Sequence, residues 1–218
     1  MSALYVLLIV FGSILKLTFH FSEVFVFIII MVFSMFLKEN FSTWKKLNYF
    51  GVANIITTTR LIIVVFLASG VNLKGQSLLF IPITIVPLLD VIDGWIARLR
   101  KEETYFGMLY DMEVDALYVL TASIIVFEKH PSLWFVLIPA YLRYVYKIVI
   151  TILDEENLFQ ESKQKYASVI AGNYFIALII FYLFENKMAS FYIGISSLLI
   201  LFSFGKSFVD FSSWKYDK

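Results

Sequence analysis

Between positions 56 and 206 the chain is a succession of apolar segments, 56–72, 77–97, 107–127, 132–153, 166–184 and 189–206. Each approaches the ~20 apolar residues a helix needs to cross a bilayer. The separators, 72–75, 99–104, 128–132, 154–165 and 185–187, supply the polar and helix-stopping residues that turns require. Soluble domains carry roughly a quarter charged residues, whereas this chain is 60% hydrophobic and 16% charged. One soluble core cannot absorb that excess, so most apolar side chains must face lipid. The alternating ten-residue pattern of a membrane barrel is absent. The pattern therefore predicts an all-α, polytopic membrane helical bundle with no internal repeat.

Residues 1–37 are nearly all apolar but are interrupted at His20-Phe21-Ser22-Glu23, which predicts a hairpin of two short helices. No basic region precedes this run and no small-residue cleavage site follows it, unlike a secretory signal. Residues 38–52 are polar, with Trp44 and Tyr49 among Lys45 and Lys46, as in an amphipathic helix lying on the membrane surface. The expected organisation is a hydrophobic hairpin over 1–40 and a transmembrane domain over 41–218. Lys38, Lys45, Lys46, Arg98, Arg100, Lys101, Lys163, Lys165, Lys206, Lys215 and Lys218 fall on one side of this topology. Lys74, Lys129 and Lys187, with Lys16 as a further candidate, fall on the other. The basic side is expected to be cytoplasmic.

Net charge is +1, which suggests no nucleic-acid partner. With no cysteine, disulfides, thiolate nucleophiles and thiolate zinc sites are excluded. The two histidines, His20 and His130, stand in or beside apolar stretches with no second ligand nearby and read as structural or interfacial.

Carboxylates inside membrane segments are costly and mark function. Asp90, Asp93, Asp111 and Asp115 surround one turn on the basic side. On a helix Asp90, Asp93, Gly94, Ala97 and Arg98 share one face, as do Gly107, Asp111 and Asp115 on the next. The intervening stretch is short enough to make the two helices antiparallel neighbours, so the acids converge just inside the bilayer boundary. Four such charges at low dielectric repel strongly, and a hard divalent cation, or two, relieves this. Oxygen-only ligands favour magnesium, manganese or calcium over zinc. Magnesium usually keeps a substrate phosphate in its shell, which points to phosphoryl chemistry. Gly94, Ala97 and Gly107 leave room for a base or a phosphate, and Arg98 is suited to pairing a phosphate or bracing an aspartate.

The run Asp90-Val-Ile-Asp93-Gly94-Trp-Ile-Ala97-Arg98, followed at fixed spacing by Gly107, Asp111 and Asp115, resembles the full signature of the CDP-alcohol phosphotransferase (CDP-alcohol phosphatidyltransferase) family, D-x2-D-G-x2-A-R-x8-G-x3-D-x3-D. Every fixed position is present. The resemblance implies a six-helix core over about residues 49–208. It implies that Asp90, Asp93 and Asp111 hold metal ions, two Mg2+ or Mn2+, with Asp115 completing the site and acting as general base on the acceptor hydroxyl. Gly94, Ala97, Arg98 and Gly107 would form the cytidine diphosphate pocket. Asn54-Ile-Ile-Thr57-Thr58-Thr59-Arg60 resembles the family's N-x-x-T-x-x-R segment, making Asn54 and Thr57 further nucleotide contacts, although Ala53 stands where the family usually has proline. The implied reaction is direct displacement: the acceptor alkoxide attacks the phosphorus attached to diacylglycerol in CDP-diacylglycerol, and CMP leaves. A homodimer, and a prokaryotic inner membrane with the site facing the cytoplasm, are further expectations.

Arg143 and Lys147 lie four apart toward the cytoplasmic half of segment 132–153, and Lys163 and Lys165 begin the next helix. If they converge beside the acids they form a cationic pocket for a phosphate- or carboxylate-bearing alcohol. This pattern loosely resembles glycerophosphate-using members, with Tyr144 where those usually carry an acid, so glycerol 3-phosphate is the first candidate acceptor. Serine, inositol and inositol phosphate are alternatives. For Lys163 and Lys165 the positive-inside bias alone is an equal explanation. Glu113, off the acidic face, has no expected catalytic role. A reading from another class is a divalent-cation transporter, which predicts acids at the bilayer midplane on discontinuous helices.

Overall fold

A computed structural model of the chain describes residues 3–41, 50–70, 76–100, 103–153 and 165–216, and every element among them is helical. Four of these helices are long and apolar enough to cross a membrane, Leu79–Arg100, Pro131–Leu153, Ala167–Phe184 and Lys187–Val209, while Ala3–Phe19 and Val52–Ala68 are shorter apolar helices. The chain is an integral membrane protein. By internal contacts it falls into two units, residues 3–122 and 123–218.

The first unit opens with the expected hairpin, α1 (Ala3–Phe19) and α2 (Ser22–Glu39). His20 ends α1 in the left-handed region, φ +57°, and its carbonyl accepts from Ser22 N–H at 2.9 Å, so the chain reverses within two residues. Gly12 permits a close crossing of the two helices. A methyl group there would meet Ile28 Cδ1 at 2.9 Å and the Phe25 ring at 3.1 Å. Tyr5, Val6, Ile9 and Lys16 are buried, while Leu4, Leu7, Phe11 and Ile14 on the other face of α1 are exposed, as lipid contact requires. Near the other end of the hairpin Tyr5 donates a hydrogen bond to Glu39.

Three helices complete this unit: α3 (Val52–Ala68), α4 (Gln76–Arg100) and most of α5 (Tyr105–Lys129). The apolar segments locate them but misjudge their ends, because helical hydrogen bonding continues into polar flanks; α4, expected over 77–97, runs on through Arg100. The amphipathic surface helix expected over 38–52 falls mainly on residues 42–49, which lie outside the described residues. Lys16 is 1% exposed, and its ammonium donates to the carbonyl of Ala68 at 2.8 Å. A cation therefore meets the last turn of α3, where the helix dipole is negative. At the start of α5 the Thr104 hydroxyl accepts from Gly107 N–H at 2.9 Å, a side-chain N-cap.

Two prolines, Pro82 and Pro87, stand inside α4. Pro87 has no N–H to give to the carbonyl of Ile83, four residues earlier. The buried Tyr118 of α5 supplies the missing donor, its hydroxyl 2.8 Å from Ile83 O. The proline gap thus becomes a specific link between the two acid-bearing helices.

In the second unit a 3-10 turn, Pro131–Val136, leads into α6 (Leu137–Leu153), followed by α7 (Lys165–Phe184) and α8 (Lys187–Tyr216). Asn186 caps α8 by accepting from Ala189 N–H at 2.8 Å. Across α7 and α8, Tyr192 donates to Asn173 Oδ1 at 2.6 Å and Asn173 donates to Ser196 at 2.9 Å. Such polar pairs hold helices together where no hydrophobic drive exists between them. His130 packs edge-on against Phe181, consistent with a structural role.

Tyr118→Phe should leave Ile83 O buried without its partner and lower stability by about 1–3 kcal/mol. In a Pro87→Ala background, where the helix itself provides the donor, the same change should cost much less. Thermal unfolding of the four proteins in detergent gives the coupling directly.

Candidate active site

Asp90 and Asp93 occupy the last three turns of α4, and Asp111 and Asp115 follow on α5 after the short connection. The centre of the arrangement, however, comes from α3. Arg60 is fully buried, and one guanidinium nitrogen lies 3.0 Å from Asp90 Oδ1, 2.8 Å from Asp93 Oδ2 and 2.5 Å from Asp111 Oδ1. Its other terminal nitrogen pairs with Asp115 Oδ1. All four acids of the signature therefore converge, and they do so around a cation that the acidic pattern alone does not reveal. The signal for it was present, since Arg60 is the one basic residue within the apolar run of α3 and an intramembrane arginine demands partners.

Thr57, one turn before Arg60, adds a hydroxyl 3.0 Å from Asp93 Oδ2. The acids differ in access. The Asp93 side chain is 5% exposed, and those of Asp90, Asp111 and Asp115 are 28%, 35% and 29% exposed. The site thus has a sealed floor made by Arg60, Thr57 and Asp93, and an open side where three carboxylates reach solvent.

Whether a metal suits this cluster is a matter of donors and charge. One oxygen from each of Asp90, Asp93 and Asp111 lies within 4.8 Å of the others, close enough to share an ion. Arg60 engages a single oxygen of each acid and offsets one of four formal negative charges. The remaining excess, on hard oxygen ligands without histidine or cysteine, fits a divalent cation of the magnesium type. Asp115 falls outside that trio and is joined to it through Arg60.

The nucleotide-pocket candidates take different places around the acids. The Arg98 guanidinium lies over Gly94, 3.7 Å from where a methyl group would project. Gly107 is not an open space. A methyl group there would meet Asn54 Oδ1 at 3.0 Å and Thr104 Oγ1 at 3.1 Å, so its missing side chain lets α3 approach the start of α5. Asn54 is 9% exposed and its amide donates to Phe50 O at 2.6 Å, which leaves the carbonyl oxygen directed at Gly107. Ala97 is half-buried on the face of Asp93 and Gly94. Glu113 is buried at 3% exposure.

The acceptor candidates are less completely described. Arg143 and Lys147 lie on α6 in the second unit, and Arg143 Nε is buried without a hydrogen-bond partner among the described residues. Lys165 begins α7, and Lys163 lies outside the described residues.

Fold and site together define a helical membrane protein whose acidic trio is close enough to share a metal ion. More narrowly, the chain belongs to the CDP-alcohol phosphatidyltransferase family, whose profile matches residues 50–204. It is similar to a CDP-diacylglycerol–glycerol-3-phosphate 3-phosphatidyltransferase of Haemophilus influenzae, with 29% identity over 109 residues, 49% of this chain and 58% of that protein. The chain thus spans little more than half of that relative's length. No solved structure matches it. The family depends in general on divalent metals, in agreement with the acidic trio.

Gly107→Ala should displace Asn54 and reduce activity at least tenfold, because the neighbour at 3.0 Å is a helix-anchored side chain rather than a flexible tip. Gly94→Ala, whose nearest neighbour is the mobile end of Arg98, should leave stability close to wild type. Initial rates and melting temperatures of the two variants distinguish them.

Proposed function

We propose that the protein transfers a phosphatidyl group from CDP-diacylglycerol to a small alcohol with release of CMP, and that the alcohol is glycerol 3-phosphate. The observation that carries the reading is the convergence of Asp90, Asp93, Asp111 and Asp115 on one buried arginine within apolar helices. The named relative supplies the acceptor, and Arg143 and Lys147, two cations one turn apart on an otherwise apolar helix, support an anionic one. Lys163 and Lys165 remain acceptor candidates on sequence grounds alone.

In this proposal Asp90, Asp93 and Asp111 hold two Mg2+ or Mn2+ ions, and Asp115 completes the site. Bound there, the ions would neutralise the donor pyrophosphate and the charge that develops as CMP departs. The chain's own groups do the rest. Arg60 keeps the four carboxylates gathered and cancels part of their repulsion. Gly94, Ala97 and Arg98 receive the cytidine diphosphate, and Asn54, Thr57 and Gly107 shape that pocket from its packed side. Asp115, outside the acidic trio, takes the proton from the acceptor hydroxyl. The resulting alkoxide forms a bond to the phosphorus that carries diacylglycerol, the bond from that phosphorus to the CMP oxygen breaks, and CMP leaves with the electron pair. A site in membrane helices with one solvent-reachable side suits the substrates, since the acyl chains stay in the bilayer while the nucleotide and acceptor arrive from water. The proposal extends to an active site on the cytoplasmic side of a prokaryotic inner membrane, following the lysine and arginine bias, and to a homodimer. A cation transporter is disfavoured, because α4 and α5 run unbroken through their acids.

Transfer in detergent–lipid micelles tests this. With CDP-diacylglycerol, Mg2+ or Mn2+ and glycerol 3-phosphate, mass spectrometry should find phosphatidylglycerol phosphate and an equal amount of CMP. Asp115→Asn should lower the rate at least a hundredfold. Product only with serine, inositol or inositol phosphate would reassign the acceptor; CDP-diacylglycerol binding without any product would remove the transfer reading.

A further inference from the structure

Residues 3–39 precede the stretch that matches the family, yet α2 reaches the acids through continuous packing. Phe36 stacks on Phe106 at 5.9 Å and on Tyr110 at 6.2 Å, and Phe33 meets Tyr110 at 6.3 Å. Phe106 and Tyr110, one turn apart on α5, stack on each other at 5.8 Å. Phe33, Phe36, Phe106 and Tyr110 are all buried. Tyr110 directly precedes Asp111, and its hydroxyl lies 3.1 Å from Thr58 Oγ1 on α3. The Thr58 proton goes to Asn54 O at 2.8 Å, so Tyr110 is the donor. Thr58 is flanked by Thr57, the partner of Asp93, and lies two residues from Arg60. At the opposite end of the hairpin, Lys16 ties α1 to the last turn of α3.

We infer that the N-terminal hairpin is part of the active-site frame, and that Phe36 and Tyr110 are positioning residues that fix Asp111 against the floor made by α3. An appended membrane anchor would need only lipid-facing residues. Here the hairpin instead grips α3 at one end and packs two phenylalanines on Phe106 and Tyr110, beside the acid-bearing face of α5, at the other. The contacts act on relative helix position, and an acidic trio that must share an ion within 4.8 Å is sensitive to shifts of a fraction of that distance. Any effect on catalysis rests on the proposed transfer activity; the effect on ion binding does not.

The test uses the full chain in micelles and reads Mn2+ affinity from the electron paramagnetic resonance of unbound Mn2+, at a temperature well below each variant's melting point. Phe36→Ala should weaken Mn2+ binding about tenfold, and Phe36→Met, which restores most of the volume, should recover it. Tyr110→Phe keeps the ring and loses only the link to Thr58, so a smaller, severalfold weakening is expected. Phe27→Ala, on α2 but 67% exposed, should bind as wild type. If Phe36→Ala does not fold, Tyr110→Phe decides the matter, and wild-type affinity in it then overturns the inference. Wild-type affinity in both Phe36→Ala and Tyr110→Phe overturns the inference. Normal Mn2+ binding by the wild type without any lipid product would overturn the transfer reaction and leave the inference standing on the variants, whereas a wild type that binds no Mn2+ overturns both.

Discussion

A single guanidinium buried among four carboxylates, inside helices whose other faces meet lipid, sets the terms for the first unit. Two carboxylates 4.8 Å apart repel by roughly 3 kcal/mol at an effective dielectric of about 20, and four of them multiply that pairing. Arg60 has no solvent access, so its own charge is tolerable only because the acids surround it. Neither element is stable in place without the other. Removing one member of such a buried set typically costs about 3–5 kcal/mol. That mutual dependence requires α3, α4 and α5 to meet at one point, and the rest of the unit is arranged to make them do so.

Several local devices serve that meeting. Gly107 removes a side chain where α3 and α5 approach, so Asn54 can fill the space. Pro87 opens the α4 ladder and Tyr118 from α5 closes it, giving the two acid-bearing helices a hydrogen bond that fixes their register. Thr104 caps α5 at Gly107, one turn before Asp111. Phe33 and Phe36 pack on Phe106 and Tyr110 of the same helix, and Lys16 anchors their hairpin to α3. Chemistry and folding share residues here, because a site that is sealed on one side and open on the other must be held by packing from the sealed side.

Much of this was legible in the sequence. Carboxylates at helical spacing on two neighbouring apolar segments announce their own convergence, and the signature adds the family. The hairpin was legible too, since His20-Phe21-Ser22-Glu23 is a polar cluster in an apolar run whose other charged residue is the isolated Lys16. What the sequence concealed were relations between distant positions. The Asn-x-x-Thr-x-x-Arg segment directs attention to its asparagine and threonine, whereas the structure makes Arg60 the hub, a role that follows only when α3 is set between α4 and α5. The reach of Phe36 to Tyr110 carries no periodic signal, because one phenylalanine among many on an apolar helix looks like every other. Gly107 reads from sequence as open space for a ligand and proves to be occupied by a neighbouring helix. Helix ends were also obscured, as hydrophobicity marks the bilayer boundary and hydrogen bonding carries helices such as α8 beyond it.

The central claim is that the cluster around Arg60 is a divalent-cation site for a pyrophosphate-bearing lipid donor. Anomalous diffraction from crystals grown with Mn2+ and CDP-diacylglycerol tests it most directly. The account predicts manganese peaks bounded by Asp90, Asp93 and Asp111 on their solvent-reachable side, with the donor pyrophosphate against them and Arg60 still beneath the acids. Manganese absent from that cluster while the nucleotide is bound, or a nucleotide bound away from it, would contradict the account.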